Sequence, residues 1–179
     1  MAATHIGILV GLVTIAASGI WLATVGMPLA ATVTAAALLG TGAGTAALGI
    51  CSAASLAERL RWLLWPQAAA VVVITWMAYL NILPAIGLLQ LPHADKVMHF
   101  TLFGMVAFFG ELWLRGQRWR GAPVSILLLL SLAAAEELAQ TLSPHRTADL
   151  GDLACDLAGM VVACLLAARV RGWGTLRPA

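Results

Sequence analysis

Six of the eight acidic residues in this chain fall at three places: Asp95; Glu136 and Glu137; and Asp149, Asp152 and Asp156. Lys96, His99, Gln140 and Arg146 lie among them. An arginine beside a lysine can grip a phosphate or carboxylate, the arginine through a planar two-pronged fork. A histidine oriented by a carboxylate can serve as a general base. Several carboxylates with a histidine can also hold a hard divalent cation. Six acids face only Lys96 and Arg146 as fixed cations, so ion pairing alone leaves carboxylates that must be protonated, solvated or ligated.

The spacing places these groups on shared helix faces. Asp95 and His99 are four residues apart, and Gln140 is three from Glu137 and four from Glu136. Asp149, Asp152 and Asp156 are spaced three and four, which makes one acidic stripe entering a helix, with Thr147 as the expected N-cap. Asp95 and Lys96 are expected just outside the helix that carries His99. Ser143 lies near the cluster without the context of a nucleophile motif.

The elements that must position these groups are set by composition. The 179 residues are 61% hydrophobic and only 10% charged, with a mean hydropathy of +0.94. Soluble domains carry about 25% charged residues, so the chain reads as an all-α polytopic membrane protein. A net charge of +2 gives no basis for nucleic-acid binding. Three cysteines without a C-x-x-C pattern give no sign of a disulfide framework or zinc site and read as small core residues.

A spanning helix needs about 20 apolar residues. Six are predicted, over 5–25, 29–52, 67–83, 97–114, 122–142 and 152–170. The first reads as a retained helix, not a cleaved signal, because no Lys or Arg precedes it. Residues 1–66 are expected to form a two-helix extension, 67–170 a four-helix core and 171–179 a tail. Gly7, Gly11, Gly40 and Gly44 make small-residue faces suited to close packing within the chain or to dimerisation. A polar break is expected at Glu58, Arg59 and Arg61, and Pro84 with Asn81 is expected to open the end of the third helix.

Arg59 and Arg61, then Arg115, Arg118 and Arg120, then Arg169, Arg171 and Arg177 lie in the alternate loops and tail. Basic loops stay cytoplasmic. Both termini are therefore expected in the cytoplasm and the acidic cluster at the opposite, extracytoplasmic face. Trp62, Trp65, Trp113, Trp119 and Trp173 beside the basic loops read as interfacial anchors. Glu111, near Trp113 and Arg115, reads as an ion pair at the inner interface. His5, His93 and His145 read as interfacial or solvated.

The segments D95-K-V-M-H99-F, E137-L-A-Q140 and R146-T-A-D149-L-G-D152-L-A-C-D156-L-A-G159 resemble the signatures of the VanZ-like membrane family, whose namesake is associated with resistance to the lipoglycopeptide teicoplanin. Asn81-x-x-Pro84 resembles the Ser-x-x-Pro that often ends the family's first core helix. The resemblance covers about residues 70–170 and leaves out the first two helices. It departs at position 156, usually Asn in the family and Asp here, which adds a charge one turn deeper. It implies a four-helix membrane core acting on envelope chemistry in the bacterial cytoplasmic membrane. The candidate ligand-binding residues are Asp95, Lys96, His99, Glu137, Gln140, Arg146, Asp149, Asp152 and Asp156. The residues leave three readings open beside a structural role: a pocket for an amphiphilic or lipid-linked ligand; an intramembrane enzyme using His99, Asp95 or Glu137, with or without a divalent metal; or a proton relay. The relay is the least supported, because no polar path crosses the bilayer.

Overall fold

The computed structural model describes residues 2–24, 27–82, 92–144 and 146–175. The chain is an all-α membrane protein. Its helices are α1 (Ala2–Thr24), α2 (Leu29–Ser52), α3 (Leu56–Arg61), α4 (Leu64–Tyr79), α5 (Ala94–Trp113), α6 (Val124–Gln140) and α7 (Leu150–Thr175). Four segments are long and apolar enough to cross a membrane: Ala3–Ala23, Leu29–Ser52, Leu56–Tyr79 and Leu150–Gly172. The other two of the six expected spans are α5, which carries Asp95, Lys96 and Glu111, and α6, which has 17 residues.

Helix ends follow local chemistry. The expected polar break is instead helical, because Ser55 accepts from the Glu58 amide at 3.2 Å and Glu58 returns to accept from the Ala54 amide at 3.1 Å. These reciprocal bonds start α3. α4 ends at Tyr79, well before Pro84, which lies outside the described residues. Asn81 adopts φ 55° there. Its amide donates to Ala78 O and that of Ile82 to Met77 O, each at 3.0 Å. This is a Schellman ending, so Asn81 closes the helix with its backbone. The basic loop after α5 forms a small hairpin of β1 (Arg118–Trp119) and β2 (Ala122–Pro123), turned by Arg120 and Gly121, both at positive φ.

Lipid tails are as apolar as leucine, so helices in a membrane associate through close packing. α1 and α2 meet along Gly7, Gly11, Gly40 and Gly44. A Cβ on Gly44 would lie 2.8 Å from Gly7 O, and one on Gly11 3.0 Å from Gly40 O. These glycine faces are therefore occupied within the chain. Leu22, Ala31, Ala35, Val73 and Met77 form one core, joining α1, α2 and α4. Phe103, Ala107, Ala133, Met160 and Cys164 form a second, joining α5, α6 and α7. Gln67 ties the two together by donating to Leu102 O at 3.3 Å. α5 and α7 run in the same direction and touch backbone to backbone, since a Cβ on Gly104 would lie 3.1 Å from Gly159 O.

Candidate functional site

The start of α5, the end of α6 and the start of α7 meet at one end of the bundle. α5 begins at Ala94, three residues earlier than predicted, so Asp95 and Lys96 belong to its first turn. His93 precedes it, exposed and at φ 61°. Lys96 reaches across to α7. Its Nζ donates to Asp149 Oδ2 at 2.7 Å and to Asp152 Oδ1 at 3.1 Å. Asp149, not Thr147, caps α7, because its Oδ1 accepts from the Gly151 amide at 2.7 Å. The aspartate stands immediately before the first helical residue, whereas Thr147 lies two residues too early. The hydrogen bond from Lys96 holds the Asp149 carboxyl below its ordinary range, and the Gly151 amide adds to this.

One turn deeper the groups are buried. His99 Nδ1 lies 3.0 Å from Asp156 Oδ1, and its Nε2 lies 3.6 Å from Asp152 Oδ2. The acids that orient His99 thus come from α7. Asp95 is exposed and forms no ion pair among the described residues, because its position in the first turn points it outward. It lies at the surface beside the network and not within it. The carboxyl at position 156 is the one that meets the imidazole.

Glu137 links α6 to the start of α7, its Oε2 accepting from the Asp149 amide at 2.8 Å. Gln140 Nε2 donates to Glu136 Oε2 at 2.6 Å and to Glu137 Oε1 at 3.4 Å. Gln140 and Asp156 are 0% and 1% exposed. Each buried polar group needs a partner or costs about 1–3 kcal/mol. Here two lack one, Gln140 Oε1 and Arg146 Nε, while the Tyr79 hydroxyl has the Glu136 carboxylate as its acceptor. They gather around Glu136. Gln140 bonds Glu136 directly, Tyr79 donates toward the same carboxylate, and Arg146 lies close enough for its charge to act on Tyr79. Among the described residues no ion pair includes Arg146. A cavity with about 30 Å³ of room is lined by Glu136, Arg146 and His99 on its polar side and by Ile74, Met98 and Leu102 on its apolar side.

Lys96, His99, Glu137, Gln140, Asp149, Asp152 and Asp156 thus form one connected network, with Arg146 across the cavity from it. Glu136 and Tyr79 were absent from the candidate set. Glu136 sits four residues before Gln140, and Tyr79, the chain's single tyrosine, ends an apolar helix; both signals were legible. Among the described residues no three His, Cys, Asp or Glu side chains are placed to hold a metal ion. His145 lies outside the described residues.

At the other end of the same three helices, Glu111 is fully buried and fully partnered. Its Oε1 meets Arg118 Nη1 at 2.5 Å and Arg171 Nη1 at 3.1 Å, and its Oε2 accepts from Ser125 Oγ at 2.6 Å. It forms ion pairs, as expected, but with Arg118 and Arg171 and not with Arg115.

The family model for VanZ/LLP1 proteins matches residues 53–171. No curated protein and no solved structure matches the chain. With two thirds of its length inside that match, this membrane protein belongs to the VanZ/LLP1 family.

Proposed function

We propose that this VanZ-like protein is a multi-pass component of the bacterial cytoplasmic membrane with both termini in the cytoplasm. In this reading it binds the anionic head group of an amphiphilic or lipid-linked envelope ligand at its acidic, extracytoplasmic end. Resistance to glycopeptides such as teicoplanin is one outcome such binding could serve. One observation carries the reading. Arg146, whose buried Nε has no partner among the described residues, lines with Glu136 a cavity that has polar and apolar walls, and Glu136 is bonded by Gln140, whose Oε1 is likewise unpartnered. Arg146 Nε offers a donor to an anion, and Gln140 Oε1 offers an acceptor. Ile74, Met98 and Leu102 give a tail or linker an apolar surface.

The alternative is an intramembrane enzyme acting on a lipid-linked phosphate or acyl group, and the His99–Asp156 contact favours it. A general base needs a ring nitrogen aimed at substrate, whereas Nε2 faces Asp152 at 3.6 Å. That placement favours binding over catalysis.

Native mass spectrometry of the detergent-purified protein tests the reading, with wild type beside Arg146→Ala and Arg146→Lys. An anionic lipid or isoprenoid should co-purify with wild type, be lost from Arg146→Ala and be weakened in Arg146→Lys. Retention of the same species in a folded Arg146→Ala protein would sink the proposal.

A further inference from the structure

A further unpartnered buried atom is Arg61 Nε, at the opposite end of the bundle from Arg146. Arg61 ends α3, and its guanidinium lies 5.8 Å from the Trp62 ring centroid and 5.7 Å from that of Trp113. Both distances are within cation–π range. The indoles are held in place. Trp62 and Trp113 pack edge to face at 5.0 Å, Trp65 packs on Trp113 at 5.4 Å, and Trp62 fills the space left by Gly49 on α2. Glu58, the nearest acid in sequence, is committed to the Ala54 amide at the start of α3. No ion pair among the described residues includes Arg61.

The two indoles stand at 85° to each other and hold the guanidinium carbon by its charge, which leaves the N–H donors of Arg61 without an acceptor among the described residues. A phosphate oxygen pair is the acceptor that matches those donors in plane. Tryptophan clusters of this kind sit at head-group depth, where lipid phosphates are the abundant anion. We infer that Arg61, seated on Trp62 and Trp113, forms a binding site for the phosphate of an anionic phospholipid at the basic end of the bundle. This inference does not rest on the reading of the acidic end.

The test is a titration of the full chain in detergent with phosphatidylglycerol, phosphatidylcholine or inorganic phosphate, followed by native mass spectrometry. Wild type should bind phosphatidylglycerol in preference to phosphatidylcholine. Arg61→Gln should weaken the phosphatidylglycerol complex by about fivefold. Arg115→Gln, which removes an exposed cation of the same end, should change it by less than about twofold. Arg61→Lys keeps the charge and loses the fork, so its binding should fall between wild type and Arg61→Gln; it carries the test if Arg61→Gln does not fold. Equal losses in Arg61→Gln and Arg115→Gln would overturn the site in favour of diffuse surface charge. Displacement of phosphatidylglycerol by millimolar inorganic phosphate would overturn its assignment to a lipid.

Discussion

The two ends of the α5–α6–α7 bundle both bury carboxylates, and they treat them oppositely. At the basic end a single acid, Glu111, meets two arginines and a serine, and both of its oxygens are bonded. At the acidic end five carboxylates share Lys96, His99 and Gln140, while Arg146 stays outside the network and Gln140 Oε1 and Arg146 Nε stay unpartnered. A saturated site holds helices together, and an unsaturated one keeps capacity for something else. Burial alone does not separate the two, because Glu111 and Gln140 are equally buried. The count of unused donors and acceptors does.

Breaking the saturated end should have the largest effect on stability. Glu111→Gln leaves two guanidiniums without their charge partner and should cost about 3–5 kcal/mol. Thermal unfolding in detergent would register this as a large drop in midpoint, and an unchanged midpoint would erase the contrast between the ends. The seam joining the ends comes next. A side chain at Gly159 would collide with the Phe100 backbone carbonyl. Gly159→Val should therefore cost about 1–3 kcal/mol, read in the same melt, and should weaken the contacts at both ends together.

Changes at the unsaturated end should spare the fold. Arg146→Ala removes a group that forms no ion pair among the described residues, so it should alter stability by about 1 kcal/mol or less while losing the co-purifying ligand. A severe loss of folded protein would make the acidic end structural, like the basic one. The smallest effect should come from the exposed Lys96–Asp149 pair. The Asp149 carboxyl is held below its ordinary range when folded. Its contribution is therefore fully present above the ordinary aspartate value of about 3.9 and is lost as pH falls through the lowered folded value. Melts of wild type and Asp149→Asn, which keeps a capping side chain and the Lys96–Asp152 pair, should differ slightly at neutral pH and converge in acid. Divergence on acidification would have the opposite sign and would contradict the pairing.

Much of the acidic end was legible because helix periodicity is strict. Spacings of three and four place Asp149, Asp152 and Asp156 on one stripe and Gln140 beside both glutamates, and charge in an apolar chain is conspicuous. The partners were harder to read. Asp95 and Asp156 were both plausible neighbours of His99 on paper, and only the parallel packing of α5 on α7 selects Asp156. The arginines of Glu111 were hidden for a similar reason. One arrives through a hairpin and the other 60 residues later, on a helix that runs five residues past its expected end at 170. The capping residue shifted because Asp149, two places beyond Thr147, stands next to the first turn.

The backbone contact at Gly104 and Gly159 has a mechanical consequence. α5 and α7 run side by side, clasped at His99–Asp156, touching at the glycines and clasped again at Glu111–Arg171. The two clasps are twelve residues apart on α5, about 18 Å along its axis. A pair of rods fastened at both ends and pressed together in the middle can neither slide nor scissor without breaking a fastening. Any widening of the cavity must therefore come from its other walls, α4, the end of α6 carrying Glu136 and the turn carrying Arg146. α5 and α7 then serve as the fixed jaw of a vice, and the moving jaw carries the free guanidinium edge.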